Sequence, residues 1–356
     1  MHIALSFNLR RASACAPSDS SSASPLSIAD DLYAEWDDFE TIDAVRSALA
    51  RRHQVTLVEA DHNAFATFQA LRPDLVFNMA EGLLGASRES QIPAMLDMLG
   101  LPYTGSDPLT LGNCLDKRRT KEILNYHRVA TPRFALVEQL RDIPARLRYP
   151  LMVKPILEGS SKGVPDSALV RHRKQLLQQV EWALATYRQP LLIEEFLPGR
   201  EFTVAMIGND AELRMLPVVE IDFSALPTGV NPIYSYEAKW VWDREDQPLS
   251  IFSCPAALDP ELYNAIEQLC KRAFRVMGCH DWCRIDVRLN AQGRPHIIEL
   301  NPLPGILPRP EQNSCFPKAA RAAGLSYDEL ILSVVDAALV RHRLFSGERH
   351  ANCCLL

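Results

Sequence analysis

Two apolar runs late in the chain, Cys283–Leu289 and His296–Asn301, carry ionisable and amide side chains where a buried strand normally holds none. Both runs read as β-strands, and they look like an antiparallel pair. Glu299 and Asn301 stand two residues apart, so a strand points them to one face. Asp286, in Arg284-Ile285-Asp286-Val287, can meet them from the neighbouring strand. A solvated strand face is the alternative reading. The apolar neighbours argue against it, because carboxylates in a core need a metal or a partner. Two carboxylates and one amide oxygen form a hard, oxygen-only set that suits Mg²⁺, with water and phosphate oxygens in the remaining positions.

The beginning of the chain has a different texture. Ile3–Phe7, Val55–Glu59 and Leu75–Met79 are short apolar runs, and Ile42, Val45 and Leu49 between the first two fall at helical spacing. Strand, helix, strand predicts a parallel α/β unit. The Ser-rich stretch Ser13–Ser27 interrupts it and is read as a mobile surface insertion. From residue 117 onward a helix (Lys117–Tyr126) is followed by strands at Phe134–Val137 and Leu151–Pro155. A second helix (Lys174–Tyr187) and a strand at Leu191–Glu195 lead to a break at Pro198-Gly199. Helices are expected again at Pro260–Met277 and Tyr327–Phe345. Boundaries fall near residues 116 and 198.

A chain of 356 residues, 47% hydrophobic and 23% charged, has room for two or three domains. The net charge of −6 and the absence of a basic run argue against nucleic-acid binding. No apolar stretch is long enough to span a bilayer, and the apolar start is too short for a signal sequence. Nine scattered cysteines predict reduced, cytoplasmic thiols, since neither Cys279/Cys283 nor Cys353/Cys354 has zinc-site spacing. The final Cys353-Cys354-Leu355-Leu356 resembles a prenylation box, a motif short enough to occur by chance.

Two further segments carry chemistry. In Lys154-Pro155-Ile156-Leu157-Glu158-Gly159-Ser160-Ser161-Lys162-Gly163 a Lys closes a strand and a Gly/Ser loop follows. Such a loop offers backbone N–H groups and hydroxyls to phosphate oxygens, with Lys154 as a point charge. It is not a P-loop, because the Lys precedes the glycines. A structural turn with a solvated Lys is the competing reading. Glu194-Glu195-Phe196-Leu197-Pro198-Gly199-Arg200-Glu201 ends an apolar strand in acids at a domain break, where a hinge can hold a purine and its ribose. Read alone, it could equally be a charged linker.

The order and spacing of these segments resemble the ATP-grasp superfamily, and within it the D-alanine–D-alanine ligase family. The resemblance extends from about Val76 to Ile331. It includes Pro102-Tyr103-Thr104-Gly105-Ser106, Asp116-Lys117, the Lys154 segment, Glu201-Phe202-Thr203-Val204, Tyr236-Glu237-Ala238-Lys239, Gly278-Cys279, Arg284-Ile285-Asp286, Glu299-Leu300-Asn301 and Pro304-Gly305. It implies an α/β chain, α+β in its ATP-grasp part, in which an N-terminal parallel-sheet domain precedes two α+β subdomains clasping ATP. The expected divisions are a substrate domain over 1–116, a central subdomain over 117–198, a C-terminal subdomain with the metal site over 199–346, and a tail. Carried over, Lys117, Lys154 and Lys239 would bind ATP phosphates with backbone help from Ser161. Glu194, Glu195 and Leu197 would hold adenine, and Glu201 the ribose. Asp286, Glu299 and Asn301 would ligate two Mg²⁺ or Mn²⁺. Arg284 and the Gly305 amide would stabilise the tetrahedral intermediate, and Ser160 would anchor a closing loop. A cytoplasmic homodimer acting on two small-molecule substrates is implied as well.

The substrate pocket departs from the family pattern. Trp240 stands where the family has Tyr, and an indole offers only a donor. Glu81 replaces a His before Gly82, adding a charge that suits a substrate ammonium. The family's N-terminal Glu is matched by Glu35, with Glu40 as a rival. Asn301-Pro302-Leu303-Pro304-Gly305 leads into a longer, Pro-rich Ile306–Phe316, where Arg309 and Ser314 are candidates to hold an acceptor carboxylate. The expectation is therefore an ATP-dependent ligase that joins two amino acids through an acyl phosphate, with altered specificity. The alternatives are a D-alanine–D-alanine ligase of cell-wall synthesis, ligation to another amine or a hydroxyl, and a non-catalytic ATP-binding module.

Overall fold

The computed structural model describes residues 1–10, 33, 35–82, 84–243 and 249–343. The Ser13–Ser27 insertion and the C-terminal Cys353–Leu356 box lie outside them. Near the N-terminus β1 (His2–Phe7), β2 (Gln54–Glu59) and β3 (Leu75–Asn78) form a parallel sheet in the order β2-β1-β3. The central strand is buried almost throughout, as parallel strands covered on both faces are. Helix α1 (Phe39–Ala50) lays Ile42, Val45 and Leu49 into this core, and the Asp38 carboxylate caps it by accepting from the Thr41 N–H. Helices α2 (Ala64–Leu71), α3 (Gln91–Leu99) and α4 (Pro108–Leu115) complete the unit.

Helix α5 (Lys117–Tyr126) follows directly, capped by Asp116, and buries Leu124 in the core of the C-terminal sheet. Strands β4 (Phe134–Val137), β5 (Leu151–Pro155), β6 (Leu169–Val170) and β7 (Leu191–Glu195) make an antiparallel sheet ordered β4-β7-β5-β6. Helix α6 (Arg173–Tyr187) covers it with Leu176, Val180 and Ala183.

The third sheet is antiparallel, with β11 (Phe252–Ser253), β10 (Val219–Ile221), β8 (Glu201–Ile207), β12 (Trp282–Leu289) and β13 (Pro295–Asn301) in that order and β9 (Arg214–Met215) paired to β8. Helix α7 (Pro260–Met277) packs Ile266, Ala273 and Phe274 beneath it. Helix α8 (Cys315–Ala322) starts where an irregular Pro-rich stretch was expected to end, and α9 (Tyr327–Arg341) packs on α1. Helix α9 stops before Phe345, which lies outside the described residues.

The first and third sheets share one core, in which the Trp282 ring lies 5.7 Å from both Phe77 and Phe316. Among the described residues no helix is long and apolar enough to cross a membrane.

Candidate active site

Strand register assembles the site. Opposite residues of an antiparallel pair point to one face. Asp286 on β12 stands opposite Glu299 on β13 and Thr203 on β8, while Arg284 stands opposite Asn301 and Ala205. Six positions therefore share a face, and the alanine leaves room for the guanidinium. Thr203 Oγ1 donates to Asp286 Oδ1 at 2.8 Å. Arg284 reaches both oxygens of Asp286 at 3.2 Å and lies 3.8 Å from Glu299. Burial raises the Asp286 pKa, while Lys117 and Arg284 hold Glu299 well below the usual carboxylate range against its own burial. The Asn301 Nδ2 is buried with no hydrogen-bond partner. No cluster of three His, Cys, Asp or Glu side chains is assembled among the described residues, so a cation here would take two carboxylates and an amide oxygen. That oxygen-only set fits Mg²⁺.

Two cavities meet at this face. A cleft of 170 Å³ lies between the second and third sheets, and a larger cavity of 480 Å³ adjoins the N-terminal sheet. Lys117, Ser160, Lys239, Arg284 and Glu299 line both, forming the septum between them.

In the cleft, Lys154 Nζ lies 2.6 Å from Glu194 Oε1, and Lys121 Nζ lies 2.8 Å from Oε2. The two ammonium groups overcome burial and lower the Glu194 pKa to about 2. Both oxygens are thus engaged in holding the lysines. The Glu195 side chain is exposed, and its N–H is taken by Arg133 O. The Leu197 N–H has no partner among the described residues, and it borders apolar Met152, Phe196 and Ile298. Glu201 pairs at 2.6 Å with Arg288, whose guanidinium stacks between Phe196 and Phe223. In the Gly/Ser loop, Ser160 and Ser161 both adopt positive φ, a sparsely populated conformation for non-glycine residues. Their N–H groups have no partner among the described residues, and Ser161 Oγ donates to Tyr234 O at 2.9 Å. Lys117 Nζ donates to Glu158 O at 2.6 Å and lies 3.2 Å from Glu299.

Lys239 sits in a short π-helical turn, Ala238–Trp242, with its ammonium 5.2 Å from the Trp240 ring and no carboxylate within ion-pair distance among the described residues. Burial first, then the Arg284 charge, pushes its pKa down to about 8. The negative charge of a polyphosphate bound beside it would outweigh both effects. At about pH 9 binding of an ATP analogue is therefore expected to take up a proton, and at about pH 7, where the ammonium is already charged, this uptake disappears. Calorimetry in two buffers of different ionisation enthalpy reads the difference, and buffer-independent heats at the higher pH would contradict it.

The larger cavity separates the two N-terminal candidates. Glu35 lines it, with Oε2 at 2.9 Å from Arg88 and 2.8 Å from Lys162, and these cations lower its pKa despite burial. A Cβ at Gly159 would overlap Glu35 Oε1, so glycine lets the loop close on this carboxylate without displacing it. Glu40 instead pairs at the surface with Arg309, 2.9 Å away and nearly half exposed. Arg309 is not among the cavity's lining residues. The Pro-rich stretch carries it outward to α1. Ser314 does line the cavity, with Oγ donating to Gly305 O at 2.9 Å. Trp240 Nε1 donates to Ser160 O at 3.0 Å, so the indole reaches the loop backbone where a phenol would reach a side chain. Glu81 also lines the cavity.

Sequence reasoning missed Lys121, Lys162, Arg88 and Arg288. Lys121 lies one helical turn after Lys117 and could have been found by that spacing. The other three act from loops or a strand end whose partners are remote in sequence.

Residues 122–336 match a family model described as the D-ala D-ala ligase C-terminus. A D-alanine–D-alanine ligase of Bordetella petrii is 35% identical over 285 residues, 79% of this chain and 81% of that one. An uncharacterised protein of Sinorhizobium fredii is also 35% identical, over 88% of this chain and 90% of its own. In fold, the chain is similar to a D-alanine–D-alanine ligase of Bacillus anthracis solved with ATP. The TM-score is 0.69 at 20% identity, covering 97% of this chain and 99% of that one.

Proposed function

The chain belongs to the D-alanine–D-alanine ligase family, an ATP-dependent ligase by that membership, and on this premise we propose that it joins two amino acids through an acyl phosphate. The observation that carries the proposal is the septum. Lys117, Lys239, Arg284 and Glu299 face the nucleotide cleft on one side and the larger cavity on the other. A γ-phosphate and a substrate carboxylate brought to the two sides would meet there.

In this reading Met152, Phe196 and Ile298 enclose adenine, with the Leu197 N–H as donor and Glu195 beside it, while Glu201 faces the ribose. The Glu194 side chain acts chiefly by holding Lys154 on the phosphates. Lys117, Lys154, Lys239 and the Ser160/Ser161 amides neutralise and orient them. Asp286, Glu299 and Asn301 would hold magnesium, which supplies charge neutralisation at the transferring phosphoryl group. One oxygen of the donor carboxylate attacks the γ-phosphorus and ADP leaves. The amine of the second substrate then attacks the acyl carbon. Arg284 and the Gly305 N–H stabilise the resulting oxyanion, and phosphate departs with the carboxylate oxygen. Ser160, tied to Trp240, and Glu35, tied to Lys162, keep the Gly/Ser loop over the site and water away from the acyl phosphate.

Glu81 and Trp240 support altered amino-acid specificity. The second reading, D-alanine ligation, is supported by relatives at 33–35% identity that carry that name. Two small-molecule substrates and a cytoplasmic homodimer complete the proposal. Its test is ADP release by the full chain with Mg²⁺ against a panel of amino-acid pairs. Release that requires both partners is expected, and ATP hydrolysis indifferent to every added amino acid would overturn it. Robust turnover with D-alanine alone would select the second reading.

A further inference from the structure

The N-terminal wall of the larger cavity holds more negative charge than an ordinary amino acid can use. Glu35, Asp37, Asp38, Glu81 and Glu89 all line it. Glu35 is satisfied by Arg88 and Lys162. Asp38 caps α1 and lies 3.9 Å from Arg10. Asp37, Glu81 and Glu89 have no side-chain hydrogen bond and no ion pair among the described residues. Glu89 is the clearest case, with 9% of its surface exposed and that surface turned into the cavity. Lys162 is shared with Glu158, 2.8 Å away, so Asp37, Glu81 and Glu89 are left on this wall with no ion pair among the described residues.

The backbone makes this arrangement deliberately close. Gly82 has φ +69°, and a Cβ there would lie 2.5 Å from Arg88 O, so the chain can fold back only through glycine. That turn brings Glu81 and Glu89 to one wall, where burial and the Glu89 charge raise the Glu81 pKa, and burial with the Glu35 charge raises that of Glu89 to about 7. Asp37 is pushed up to about 7 by burial and by Asp38. Unpaired carboxylates in such a place cost stability unless a ligand supplies the counter-charge. No metal-ligating cluster is formed by the described residues.

Building on the proposed ligase reading, we infer that this cavity takes an amino acid with a basic side chain, whose second cation sits against Glu81 and Glu89. An aliphatic amino acid brings one ammonium and leaves part of this wall without a counter-charge. A basic side chain brings a second cation to the unpaired Glu81 and Glu89. The septum receives the α-carboxylate, so side chain and reacting group lie at opposite ends of the cavity.

The test compares ornithine with norvaline, and lysine with norleucine, in both enantiomers. Each is titrated calorimetrically into the full chain saturated with Mg²⁺ and a non-hydrolysable ATP analogue. The basic member of a pair is expected to bind about 10–100-fold more tightly, the range of a charge-assisted buried contact. In Glu89→Gln that preference should fall at least about tenfold, and Glu81→Gln should act in the same direction. Equal binding of the neutral and basic members, no binding of either, or a preference unmoved in both variants would overturn the inference. Binding is read without turnover. Failure of the ligase reading appears separately, as nucleotide hydrolysis that no amino-acid pair stimulates.

Discussion

Arg284→Ala is expected to lower kcat for amine-dependent ADP release by about 10²–10³-fold, the loss found when one preorganised oxyanion donor is removed. Arg284 lines both cavities and is held by Asp286 and Glu299, which push its pKa further up. It carries full charge at any working pH and undergoes no reorganisation as charge develops on the acyl oxygen. Arg284→Lys is expected to recover little, because an ammonium cannot span two oxygens as the guanidinium spans Asp286. The KM for ATP should change less than kcat, since Lys117, Lys154 and Lys239 remain to hold the phosphates. Steady-state kinetics with the preferred substrate pair read the effect, and a loss below about tenfold would remove Arg284 from the reacting centre.

The second large effect concerns stability. Asp281→Asn is expected to destabilise the fold by about 3–5 kcal/mol, the cost of leaving one member of a buried ion pair without its partner. The Asp281 side chain is fully buried between the first and third sheets. It accepts from Arg341 at 2.8 and 3.0 Å, from Asn209 Nδ2 at 2.8 Å and from the Gly105 N–H at 2.8 Å. Arg341 in turn donates to Tyr103 O and Gly105 O, so one carboxylate ties α9 to the loop after β3. The backbone at Asp281 has φ +63°, which Asn tolerates and Ala does not, so the Asn variant isolates the lost charge from backbone strain. Chemical denaturation measures the change. The Arg341→Ala single variant and the double variant complete a cycle, in which additive losses would show that the pair is not coupled.

Most of the architecture was legible because each element buries a face with its own period. The helices at Lys117–Tyr126 and Pro260–Met277 and the strands at Phe134–Val137, Leu151–Pro155 and Leu191–Glu195 have the expected bounds. The short strands β9, β10 and β11 were not legible, since two or three residues carry no period. The cut at residue 116 marks a change of texture but no break in packing. Leu124 of α5 shares a core with Phe274 of α7, and the first sheet shares another with Trp282.

The candidate site was legible where strand alternation fixes direction, as for Asp286, Glu299 and Asn301. It was not legible where long-range ion pairs decide which side chains remain free. Arg309 looked like a clamp until Glu40, 269 residues away, was found beside it. Glu89 belongs to no motif in the sequence, and only the turn at Gly82 places it beside Glu81.

The most direct test of the central claim follows the oxygen atom of the donor carboxylate. With a donor amino acid labelled by ¹⁸O in its carboxyl group, an acyl phosphate built at the Arg284–Asp286–Glu299 face transfers one labelled oxygen to phosphate in each turnover. Mass spectrometry of the released phosphate is predicted to show that single label. Unlabelled phosphate, formed while the peptide product accumulates, would contradict the account.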